Sequence, residues 1–181
     1  MKRFIFLIIL FCFSQVVAQK PNVTLDELKN KSSDIVLAKT ISLNCFKKNN
    51  RTYTDIVIEV LDGIKGSLKA KDFVTMTYFG GTINGITTSV LDNNNPSFKV
   101  AEESVVFLNN KNDKTSPRII YFVQNGASGK FNILVDKKSG AKMVIRDNFS
   151  VPLTVSRNLG NKLFENNQPI LLTDFTSLLQ N

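Results

Sequence analysis

The chain of 181 residues contains no histidine, and that absence closes several chemistries at once. No Ser-His-Asp or Cys-His arrangement can form, and a metal site would have to rely on carboxylates. Cysteine is nearly as scarce, with Cys12 and Cys45 the only two. Cys12 falls in an N-terminal leader, so the domain after it has no internal disulfide and must be held by packing. Cys45 sits in "ISLNCFKK", where an apolar stretch turns polar. It reads as a partly buried thiol at a strand end, with a nucleophile or an intermolecular bridge as the sharper alternative. Past the leader no stretch is long and apolar enough for a transmembrane helix, and no Pro-rich or Ser-rich linker divides the chain.

What is present begins with "MKRFIFLIILFCFSQVVAQK". Lys2 and Arg3 precede an unbroken apolar run from Phe4 to Phe13, and Val16 and Ala18 supply small residues for a signal peptidase. Residues 1–18 are therefore expected to be a signal peptide, leaving 19–181 as a single exported domain, periplasmic or extracellular, that starts at Gln19. The whole chain carries a formal charge of +8 and stays basic after Lys2 and Arg3 leave.

The rest alternates in the manner of strands. "NVTLDELKNK" opens with Thr24 and Glu27 at capping-box spacing, which predicts a short helix. "DIVLAKTISLNCF" places Ile35, Leu37, Lys39, Ile41 and Leu43 on one face, "KKNNR" is a turn or loop, and Ile56, Ile58 and Val60 share a face of the next strand. "DFVTMTYF", "SVVFLNN", "RIIYFVQNG" and "KFNILVD" continue the pattern, and "DKKSGAKMVI" bends back as a hairpin. At the C-terminus Thr173 is placed to cap a helix containing Phe175, Leu178 and Leu179.

In "TYFGGTINGITTSV" the glycines invite comparison with a phosphate loop. Such a loop needs a lysine and hydroxyl, or a helix start, after its last glycine. Gly85 is followed instead by Ile86, Thr87, Thr88, Ser89 and Val90, a strand-forming run, so Gly80, Gly81 and Gly85 are expected to be structural, forming a bulge or turn. No cofactor and no metal are implied. The adjacent acidic pairs Asp26–Glu27 and Glu102–Glu103 diverge and make no acid/base dyad. Glu27 reads as a helix cap, and Glu102 and Glu103 as a solvated start to a strand.

"DIVLAKTIS", "YTDIVIEVLDGIKG", "TYFGGTINGITTSVLDNNNPSFKVAEESVVFL" and "GASGKFNILVD" resemble a group of exported bacterial domains of unknown function, over roughly Asp34 to Asp136. The resemblance implies a mainly β fold, a single small OB-like barrel of five to six strands with a short helix near each end. It is distantly similar to the netrin and tissue-inhibitor-of-metalloproteinase modules. The glycines would help a curved sheet close. Ala101 stands where the group has glycine, so the turn before Glu102 is expected to differ. The inhibitor modules ligate a protease zinc through an N-terminal cysteine clamped by disulfides, and Gln19 with one remaining thiol cannot repeat that.

These features favour an exported, non-catalytic binding or interaction module. A protease inhibitor or protease-associated domain is the first alternative, and a cryptic hydrolase using carboxylates or Cys45 the second. The expected partner is an envelope or extracellular protein or an anionic polymer, with no nucleic acid. Candidate anionic-ligand contacts are Lys47, Lys48 and Arg51 in one cluster and Lys137, Lys138 and Lys142 in another. No motif specifies a reaction.

Overall fold

The computed structural model describes residues 23–88, 95–112, 119–146, 153–154 and 169–180. The signal peptide expected at 1–18 lies outside them. The elements are β1 (Val23–Thr24), α1 (Leu25–Lys31), β2 (Asp34–Lys48), β3 (Arg51–Lys65), β4 (Phe73–Phe79), β5 (Gly81–Ile83), β6 (Ile86–Thr88), β7 (Glu103–Asn112), β8 (Ile119–Val123), a 3-10 turn (Gly126–Gly129), β9 (Lys130–Val135), β10 (Lys142–Arg146), β11 (Leu153–Thr154), β12 (Ile170–Leu171) and α2 (Leu172–Gln180). The fold is mainly β, as expected.

One large sheet runs in the order β12-β10-β9-β7-β2-β3-β4, with β8 pairing β7. Among the described residues its ladder does not close: β4 and β8 lie side by side but share no strand pairing, and the sheet is open and curled. A hydrogen bond crosses the seam, from the Val123 N–H to Tyr78 Oη at 3.0 Å. Burial pushes the Tyr78 hydroxyl up to about 12.

Alternation sends the sheet's apolar residues to two cores. Val36, Ala38, Ile56, Ile58, Val74, Met76, Val106 and Leu108 meet inside the curl. Ile35, Val105, Phe107, Phe131 and Val144 face the other way, under Leu25 and Leu28 of α1 and Phe175 and Leu179 of α2. Each of the larger side chains, from valine upward, stabilises the fold by roughly 1.5–3 kcal/mol. Helix α1 begins as expected, with the Glu27 N–H donating to Thr24 Oγ1 at 3.0 Å. Helix α2 does not: Leu172 is already helical, so Thr173 is in the first turn and not the cap, and its carbonyl accepts from the Thr176 and Ser177 hydroxyls.

Strand β2 departs from simple alternation. Register shifts at Ile35/Val36, Leu37/Ala38 and Thr40/Ser42 break the single face predicted for Ile35 to Leu43. Leu43 ends up opposite Ile56 and packs on the inner core, while Ile35 is in the helix-covered one. At the base of β2 the buried Asp34 carboxylate accepts from the backbone N–H of Ser67 (2.7 Å) and Leu68 (3.2 Å), fastening the β3–β4 connection.

Two further expectations are corrected. Ala101 adopts φ +68, the left-handed backbone a glycine would favour, so the turn keeps that shape despite the alanine. Glu102 and Glu103 are not simply solvated. Glu102 pairs with the buried Lys130 at 3.1 Å and accepts from the Lys99 N–H at 3.2 Å, and Glu103 pairs with Lys142 at 2.6 Å. Lys130 also lies over the Phe98 ring, 5.0 Å from its centroid.

Candidate functional site

The β2–β3 hairpin outruns the strands beside it. Strand β7 pairs β2 only from Asp34 to Lys39, whereas β3 follows β2 to Lys48. Asn49 (φ 50) and Asn50 (φ 58) make the two-residue turn, a conformation asparagine tolerates and one whose twist matches the flanking strands. This turn sets the register at the tip: Lys48 opposite Arg51, Phe46 opposite Tyr53 and Asn44 opposite Asp55.

Lys47, Lys48 and Arg51 are all exposed, and they form no ion pair among the described residues. On the same face as Lys48 and Arg51, one row further in, three rings line up across three strands. Phe46 stacks with Tyr53 at 5.8 Å between centroids, and Tyr53 meets Phe79 edge-on at 5.6 Å. Phe79 is 40% exposed and the other two rings are half-buried. The next row on this face holds Asn44, Asp55 and Thr77, with the Thr77 hydroxyl donating to Asp55 Oδ1 at 2.6 Å.

The opposite face of the tip opens on a cleft of about 440 Å³ lined by Leu43, Thr54, Ile56, Tyr78, Gly81 and Phe98 among others. Thr54 Oγ1 donates to the Gly80 carbonyl at 2.7 Å and lies 3.3 Å from Cys45 Sγ. Cys45 is therefore an exposed thiol within β2, not a partly buried one at a strand end.

The glycines have separate tasks. Gly80 (φ +106) ends the β4 ladder with its N–H on the Thr52 carbonyl, and a Cβ on Gly81 (φ +138) would meet Thr54 Oγ1 at 2.4 Å and Cys45 Sγ at 2.8 Å. Asn84 and Gly85 turn the small β5–β6 hairpin, which is a sheet of its own and not a corner of the large one.

The second basic cluster does not join the first. Lys137 and Lys138 occupy the β9–β10 turn, and β7 separates that hairpin from β2–β3 in the sheet order. They flank a shallow groove of about 500 Å³ that includes Leu134, Val135, Met143 and Pro169. Lys142 is held by Glu103 and leaves the cluster. Among the described residues no three acidic or cysteine side chains gather as a metal site.

The aromatic row is the feature that sequence reasoning passed over. Its signal was present in part, since a two-residue turn at Asn49–Asn50 pairs Phe46 with Tyr53, whereas Phe79 needed the β3–β4 register. No known protein family, characterised protein or solved structure matches the chain.

Proposed function

We propose that the protein is an exported, non-catalytic binding module of OB-like build that takes an anionic ligand at the β2–β3 tip. The observation that supports this is the state of the cations. Three cations, Lys47, Lys48 and Arg51, crowd one exposed hairpin end, and none of them has a carboxylate partner among the described residues. Like charges held together in this way raise the local anion concentration.

The strand order supports this build. The run β4-β3-β2-β7-β8, with β4 returning beside β8, suits a five-stranded, partly open OB barrel, in which the face of the second and third strands and the loop between the first two contact ligands. Here that loop is the Asn49–Asn50 turn. Export rests on residues 1–18, and the mass of the secreted form tests it, with Gln19 the expected first residue.

The binding test is a titration with a polyanion at several salt concentrations, comparing the native chain with the Lys47→Gln, Lys48→Gln, Arg51→Gln variant. Affinity should fall with the variant and with salt. Affinity indifferent to both would reject the site. The Lys137→Gln, Lys138→Gln variant is the control and should bind as the native chain does.

A further inference from the structure

We infer that the ligand of the tip is an acidic polysaccharide, lying across the Phe46–Tyr53–Phe79 row with its acid groups toward Lys48 and Arg51. This rests on the tip being a ligand contact, and adds what kind of anion it accepts. Three rings in register on neighbouring strands, Phe46 stacked on Tyr53 and Phe79 edge-on to it, form an apolar row on this face, with Phe79 the most exposed. The face of an aromatic ring is electron-rich and packs well against the C–H-lined face of a sugar ring. A polymer recognised by charge alone would have no use for such a strip.

The rows on either side decide between ring-bearing polyanions. Lys48 and Arg51 flank the strip on one side, and Asn44, Asp55 and Thr77 on the other. Further along the same face of β3 comes Glu59, two positions beyond Val57. A nucleic acid brings a phosphate with every unit and needs a track of cations beside its stacked bases. Crossing this face it would meet Asp55 and Glu59. Sugar hydroxyls would instead find acceptors in Asp55 and Asn44. The asymmetry fits a chain with widely spaced acid groups and many hydroxyls.

The test is a calorimetric titration of the whole exported chain, a readout that does not depend on the tyrosine being replaced. The probes are a hyaluronan oligosaccharide, a linear polyphosphate of equal charge and an oligothymidylate. Hyaluronan should bind most tightly. Tyr53→Ala should weaken it by about tenfold, as expected for an aromatic anchor, while Tyr53→Phe keeps most of the affinity and polyphosphate binding is unmoved by either. Phe79→Leu gives a second, milder ring deletion in case Tyr53→Ala fails to fold, and should weaken hyaluronan in the same direction.

If Tyr53→Ala and Phe79→Leu leave hyaluronan binding intact while Lys48→Gln weakens it, the sugar inference is overturned and the electrostatic reading survives. Tighter binding of oligothymidylate through the same rings would overturn it in favour of a nucleic acid. Binding of none of the three probes would remove both readings together.

Discussion

The two halves of the β2–β3 hairpin are built from the same alternating residues and meet opposite fates. At the base, Val36, Ala38, Ile58 and Val60 face one core and Ile35 the other, because β7 pairs along β2 and helices cover the outer side. At the tip β7 has ended, no helix among the described residues lies on the outer face, and the corresponding row is Phe46, Tyr53 and Phe79. The register shift at Thr40/Ser42 marks the border. A strand's alternation specifies two faces, and neighbouring elements decide whether either becomes interior.

The sharpest way to break this comparison is to delete one ring from each half of the sheet. Phe107→Ala, at a fully buried position on β7 under the helices, should cost about 4 kcal/mol in chemical denaturation. Phe79→Ala should cost ~1 kcal/mol or less, since the ring is already 40% exposed. Equal losses would mean that the tip is as much a core as the base.

Aspartates give the second contrast. Asp34→Ala removes a buried carboxylate that serves two backbone N–H groups, and should cost ~3 kcal/mol. Asp55→Ala, losing one exposed bond to Thr77, should stay within ~0.5 kcal/mol by the same denaturation measurement.

The seam can be probed by pH. Burial raises the Tyr78 hydroxyl from an ordinary value near 10 to about 12, so the folded state resists its ionisation. That contribution is complete below pH 10 and is lost as pH rises from 10 through 12, by roughly 2 kcal/mol. Tyr78→Phe should flatten this part of the stability curve relative to the native chain. It should also cost ~1 kcal/mol at neutral pH through the unpaired Val123 N–H. An unchanged alkaline slope would show that Tyr78 is not sealed.

Smaller effects separate the glycines. Gly81→Val should destabilise by ~2 kcal/mol because its Cβ collides with Thr54 and Cys45 as well as straining φ. Gly85→Val meets nothing within 4 Å and should cost only the backbone strain, ~1 kcal/mol. Smallest, and opposite in sign, is Ala101→Gly. Relief of the left-handed strain exceeds the added freedom of the unfolded chain, giving a gain of about 0.5 kcal/mol in the same measurement.

Much of this was legible in residue order because it is local. Period-two apolar runs announced the strands, Thr24 with Glu27 announced a capped helix, and the β9–β10 hairpin follows from Lys138, Ser139 and Gly140. The basic character of the hairpin tip was readable for the same reason. Other features depended on residues far apart. Glu102 gave no sign of Lys130, which is 28 positions away, nor Glu103 of Lys142, 39 away. Leu43 changed core because register shifts in β2 are set against β3, and no local pattern marks a bulge of that kind.

By itself the sequence determined the mainly β character of the fold, the lack of histidine chemistry, and a turn or loop between Lys47 and Arg51. Each of these is fixed by composition or by residues within a few positions of one another. Only the tertiary structure decided that the sheet stays open at the β4–β8 seam, that Lys142 is held by Glu103, and that Phe79 joins Phe46 and Tyr53 in one row. These depend on which strands become neighbours and where each partner strand stops, and that is settled by burying two apolar faces at once.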